Sequence, residues 1–203
     1  LFMIKLTPKS ITSSATDTLH KAPETTIETK AIQTYGLLLI RIHDLDKISK
    51  QLNAQVRNKE FETLDTLLKN SLTLYSGEKI ALNQGCIVLK FIDEDKDKYL
   101  FNATCCAYLL LEAAKKKRLF IKLSATLYSS SDTISLRQEI PQLINLSHVD
   151  KILINNNDLD CHLLEERLIF EEIEESHFVK VVSFSERYQK LLDNQLGYLL
   201  SAN

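Results

Sequence analysis

Glycine is scarce in this chain: Gly36, Gly77, Gly85 and Gly197 are its four. A loop of the GxGxxG or GxxxxGK[ST] kind needs closely spaced glycines so that the backbone can approach a phosphate. No such spacing can be written here, which excludes the familiar dinucleotide-binding and P-loop activities. Cysteine is equally sparse. Cys86, Cys105, Cys106 and Cys161 form no CxxC pair and no regular spacing, so neither a zinc site nor a disulfide framework is indicated. Cys86 falls in a predicted strand and Cys105 and Cys106 in a predicted helix, all within apolar runs. They read as buried free thiols in a reducing compartment, which points to the cytoplasm.

Charge of one sign is lacking too. With 25 basic and 27 acidic residues the net charge is -2, and a field this weak does not draw nucleic acid. No nucleic-acid partner is expected. His43, His148 and His162 are dispersed and fit no HExxH or Cys-His ligand spacing, so they read as core or surface histidines. Long apolar runs are also absent. The opening Leu1-Phe2-Met3-Ile4 falls far short of the roughly 20 apolar residues of a membrane helix. With Lys5 and Lys9 behind it, the stub reads either as the last turn of a membrane segment preceding Leu1 or as an arbitrary boundary. Residues 7 to 29 show no hydrophobic period and are punctuated by Pro8 and Pro23. The expected organisation is a linker over 1–34, juxtamembrane in the first of those readings, a folded domain over 35–184 and an amphipathic helix over 185–203.

The 44% of hydrophobic residues are arranged with clear periods. Leu37 to Ile42 is an apolar strand, followed by a short helix from Asp44 to Leu52 with Asp44 as its expected N-cap. Phe61, Leu64, Leu68, Leu72 and Tyr75 recur every three or four residues and mark one face of a long helix ending at Gly77, its expected C-terminal cap. A hairpin follows, with arms Lys79–Leu82 and Cys86–Phe91 around Asn83-Gln84-Gly85. Asp93, Asp95 and Asp97 alternate as at the start of a calcium loop, but Lys98 and Thr104 stand where glycine and glutamate are needed. A charged loop is the expectation there. A helix over Tyr99–Lys117, ending in a basic run Lys115 to Arg118, leads to a strand over Leu119–Leu127.

Leu136–Leu146 is expected to be helical around Pro141. A strand over Lys151–Ile154, a helix from Asp158 to Glu166 and an antiparallel pair, Arg167–Ile173 with Phe178–Phe184, complete the domain. The final helix carries an apolar stripe of Tyr188, Leu191, Leu192, Leu196 and Leu199. Either the domain's own sheet or a second subunit covers it.

The order β-α-α-β-β-α-β followed by α-β-α-β-β, across residues 35–184, resembles the class III nucleotide cyclase homology domain. The tail carries the likeness best. Lys151-Ile152-Leu153-Ile154, the helix Leu159–Glu165 and Arg167-Leu168-Ile169-Phe170-Glu171-Glu172 are similar to that family's Gly-Glu-Ile-Leu-Val strand, small helix and Phe-x-Phe-Glu-Glu strand. Diguanylate cyclases of the GGDEF type share the first half but lack this tail. The resemblance implies an α+β fold, with a ferredoxin-like βαββαβ core, C-terminal αβαββ additions and a final helix.

In that family two aspartates hold two divalent metals, and the resemblance places them on Arg41 and Gln84. The base-reading lysine falls nearest Ile80, with Lys79 one residue away. A one-residue shift in a strand turns a side chain to the other face, so Lys79 is a poor substitute. The transition-state asparagine and arginine fall near Gln138 and Gln142, with Arg137 close by. A guanidinium and an amide cannot replace hard anionic oxygens around magnesium. The expectation is a catalytically inactive cyclase-like domain that takes no metal or cofactor. It would act as a homodimerisation or protein-interaction module of a bacterial signalling protein. A nucleotide-binding sensor or unconventional cyclase is the alternative.

Overall fold

The computed structural model describes residues 34–83, 85–130, 148–159, 162–174 and 176–201. The expectations for the linker, Cys161, the helix at 136–146, and the positions Gln84, Gln138 and Gln142 lie outside the described residues. The elements are β1 (Tyr35–His43), α1 (Leu45–Gln51), α2 (Ala54–Tyr75), β2 (Glu78–Asn83), β3 (Cys86–Phe91), α3 (Lys96–Lys116) and β4 (Lys122–Ser130). They are followed by β5 (Ile152–Asn155), a 3-10 turn (Asn156–Asp158), α4 (His162–Arg167), β6 (Leu168–Glu172), β7 (Phe178–Phe184) and α5 (Glu186–Ser201). This is the expected α+β class.

The strands form one seven-stranded sheet in the order β2-β3-β1-β4-β5-β7-β6. All neighbours are antiparallel except β4 and β5. β1 lies inside the sheet and is buried on both faces from Tyr35 to Ile40, which is why Leu37 to Ile40 reads as an unbroken apolar run. Its alternate residues divide between two clusters. Leu38, Ile40 and Ile42 pack with the helices, against Leu64, Leu68, Leu100 and Leu110 among others. Tyr35, Leu37 and Leu39 face the other way and join Cys86, Val88, Tyr128, Leu153 and Phe178.

α3 is buried nearly all round, and its contacts explain why. The sheet lies on one side, at β1, β3 and β4, while α2 and α5 cover the other. Most of the apolar stripe of α5 is therefore covered by its own domain, while Leu191 stays 50% exposed. Leu192, Leu196 and Leu199 are core residues, and Gln195 accepts a hydrogen bond from the Tyr75 hydroxyl at 2.5 Å.

Several local expectations are corrected. Asp44 does not cap α1: its backbone is left-handed, with φ 55, and its side chain makes no cap hydrogen bond. Its carboxylate instead meets Lys47 Nζ at 3.1 Å. The left-handed residue closing α2 is Ser76, with φ 54, rather than Gly77. α3 begins earlier than expected because Asp95 caps it, accepting the Asp97 N–H at 2.9 Å. Asp93 pairs with Lys98 at 2.6 Å, so the alternating aspartates serve as the entry to a helix. β4 starts later, at Lys122, although Leu119 and Ile121 before it are buried. Asp158 closes a 3-10 turn after β5 rather than starting a helix.

Candidate functional site

β1 pairs with β3 on one side and β4 on the other, so each of its residues stands between two cross-strand partners. Arg41 faces Cys86 and Ser124. By alternation it points away from the helices, to the face that carries Leu37 and Leu39. Cys86 and Ser124 have no exposed surface, while Arg41 is half-buried. The result is a row across three strands consisting of a thiol, a guanidinium and a hydroxyl. Burial pushes the Cys86 thiol up to about 11, with the Arg41 charge pulling partly in the opposite direction.

His43 extends this face toward the strand end. Its Nε2 lies 2.8 Å from Ser124 Oγ. Burial, and then the Arg41 charge, hold the imidazole pKa below its ordinary value. Both effects disfavour a further cation beside the guanidinium. Among the described residues no group of three His, Cys, Asp or Glu side chains is placed to hold a metal ion.

The hairpin settles the position of Lys79. The β2–β3 register pairs Lys79 with Leu89 and Ala81 with Val88, so Ile80 is the extra residue of a bulge. Leu89 belongs to the helix-side cluster, and Lys79 shares its face. Its ammonium reaches Asp65 on α2 at 3.3 Å. Lys79 is thus turned away from the face that carries Arg41, while the bulge at Ile80 interrupts the regular alternation that the one-residue shift assumed. Cys105 and Cys106 of α3 are buried free thiols, as is Cys86.

Some groups the sequence reading did not single out are built into the fold. Asp158, nearly buried, accepts the Ser129 N–H at 2.6 Å and meets Lys96 at 3.0 Å. Arg167 lies over the rings of Phe101 and Tyr188, at 4.9 and 5.4 Å from their centroids. A lone aspartate after three asparagines, or an arginine between a helix and a strand, carries no sequence signal for either role.

No family model matches the sequence, and no curated protein sequence matches it. Solved structures do. The adenylyl cyclase CyaB from P. aeruginosa is 12% identical with a TM-score of 0.58, over 74% of this chain and 94% of that one. The non-canonical dimeric guanylyl cyclase domain of the RhoGC fusion protein from the aquatic fungus Blastocladiella emersonii is 12% identical with a TM-score of 0.59, over 75% and 96%. The guanylate cyclase domain of RhGC from Catenaria anguillulae, in complex with GTP, is 9% identical with a TM-score of 0.60, over 76% and 98%. At these identities the likeness is one of fold, and the fold this chain carries is that of adenylyl and guanylyl cyclase domains.

Proposed function

We propose that this is a nucleotide-cyclase-like domain without catalytic activity, which serves as a dimerisation or protein-interaction module of a signalling protein. The row Cys86–Arg41–Ser124 carries the reading. A divalent metal pair does not fit that donor set. Magnesium takes hard anionic oxygens, whereas the row offers a guanidinium, a hydroxyl and a thiol that burial keeps protonated near neutral pH. Phosphoryl-transfer catalysis consists largely of stabilising developing charge with metals and cations. Lys79, the nearest candidate for reading a base, is committed to Asp65 on the far side of the sheet.

Association is supported by apolar surface away from the helices' core. Ile169 on β6 and Val182 on β7 are each 53% exposed, on neighbouring strands at one end of the sheet. Contiguous exposed apolar surface marks interaction sites, and these two side chains are the ground for placing one at this edge of the sheet.

Two measurements test the proposal. Light scattering on the full chain at micromolar concentration is expected to show a dimer that Ile169→Lys dissociates. Incubation with ATP or GTP plus magnesium or manganese is expected to yield no cyclic nucleotide. Turnover would overturn the reading, as would a strict monomer that captures no partner. Metal-dependent nucleotide binding abolished by Arg41→Ala would instead support the sensor alternative.

A further inference from the structure

A separate cavity of about 570 Å3 opens between the start of α1, the first turns of α2 and the connection from α3 to β4. Its size lies within the range of small-molecule sites. Arg41 does not line it. The apolar wall includes Leu52, Leu119 and Phe120, and the charged wall carries Lys47, Arg118 and Lys122.

The carboxylates of this cavity are already committed within the chain. Asp44 holds Lys47 at 3.1 Å. Glu60 Oε2 accepts the backbone N–H of Phe120 at 2.7 Å and that of Ile121 at 3.4 Å. Among the described residues neither Arg118 nor Lys122 has an acidic partner. His43, also on the lining, directs its Nε2 to Ser124. Glu60 keeps its negative charge in its amide hydrogen bonds, so the lining sets Lys47, Arg118 and Lys122 against Asp44 and Glu60, an excess of one positive charge.

Arg118 also sits in a backbone conformation that disfavours a side chain. Its φ is 55, at a helix end where glycine is the usual residue. Its N–H bonds Lys115 O and the N–H of Leu119 bonds Ala114 O, which closes α3. A cation there complements the helix carbonyls, but that accounts for nothing at Lys122 on the next strand. Phe120, between them in sequence, is 41% exposed.

We infer that this cavity binds a phosphorylated small molecule, with its phosphate held by Arg118 and Lys122 and its less polar part against Phe120 and Leu52. The arginine fork matches two phosphate oxygens at once, and the lysine adds a point charge. A ligand in this position covers the exposed ring and meets the excess positive charge of the lining. The site needs no metal, no second subunit and no contribution from Arg41.

Calorimetry on the full chain in chelator-containing buffer tests this with AMP and inorganic phosphate, alongside amide NMR shifts. AMP is expected to bind saturably, with shifts centred on residues 118–122. Arg118→Gly is the informative variant, because glycine accepts the left-handed backbone and preserves the fold. It should weaken binding by about tenfold or more while thermal stability holds or rises. Lys122→Gln should weaken binding similarly, and Arg41→Ala should leave it unchanged. The proposal is overturned if neither probe binds, if adenosine binds as well as AMP, or if both variants bind like the parent chain. Binding to phosphatidic acid vesicles with neither soluble probe bound would assign the cations to a lipid surface and overturn it too.

Discussion

Lys96 Nζ stands 3.0 Å from Asp158 Oδ1, and the pair ties the first turn of α3 to the 3-10 turn after β5. The other carboxylate oxygen accepts the Ser129 N–H of β4 at 2.6 Å. Asp158 is 5% exposed, and burial of a carboxylate is tolerable only when its oxygens have partners. Asp158→Ala removes both links at once and should cost about 2–4 kcal/mol in urea unfolding. Lys96→Met should cost less, about 1 kcal/mol, because the ammonium is partly solvated and Ser129 still serves the carboxylate. Equal costs, or the reverse order, would contradict this account.

His43 makes stability depend on pH. Its folded-state pKa is lowered from 6.5 by burial first and by Arg41 second. In the unfolded chain the imidazole takes up its proton near the ordinary value, while the folded chain resists it. As pH falls from about 7 through that window the unfolded state binds more protons, so stability declines. Above the unfolded pKa the contribution is fully present. Urea midpoints across this range should fall less steeply for His43→Gln. In an NMR titration Arg41→Leu should move the His43 pKa up toward its ordinary value. A downward move would reverse the assigned influence of the guanidinium.

How far the chain could be read beforehand depended on whether a pattern marked one element alone. The bounds of β7 coincide with the expected strand Phe178–Phe184 because turn residues isolate a short β-branched run. The face of Lys79 was not fixed by alternation, because the bulge at Ile80 sets Lys79 and Ala81 on opposite faces although they are two residues apart. β4 was misplaced by its buried flank. Leu119 and Ile121 are core residues in a loop, and burial does not distinguish a loop from a strand. Asp158 and the cavity at Arg118 were not legible for a different reason. The basic run Lys115 to Arg118 reads as a solvated helix end, and only the fold shows that Arg118 lines a cavity with Glu60, distant in sequence, and with Phe120 and Lys122.

The end of α2 gives opposite expectations at adjacent residues. Ser76 is left-handed, with φ 54, so Ser76→Gly should stabilise by about 0.5–1 kcal/mol. Gly77 is needed for space. A Cβ there would lie 2.5 Å from the Phe91 ring and 2.6 Å from Leu72 Cδ2. Phe91 is 1% exposed and has little room to move, so Gly77→Ala should destabilise by about 1–3 kcal/mol. Thermal melts of the two variants should shift in opposite directions. If glycine at 77 served only as a cap, alanine there would be tolerated at a smaller cost.

Ser71 provides the last test, on the buried face of the same helix. Thr63, Thr66 and Thr73 each return their hydroxyl to the carbonyl four residues earlier, at 2.8–2.9 Å. Ser71 is fully buried, yet its Oγ has no hydrogen-bond partner among the described residues. A buried hydroxyl left unpaired is a net cost, and serine is also a weaker helix former than alanine. Ser71→Ala removes one oxygen and adds no volume, so it should raise stability by about 1 kcal/mol at an unchanged urea m-value. A loss of similar size would mean that the hydroxyl has a bonding partner, such as an ordered water, and that the face where α2 meets the core is wetter than its leucines imply.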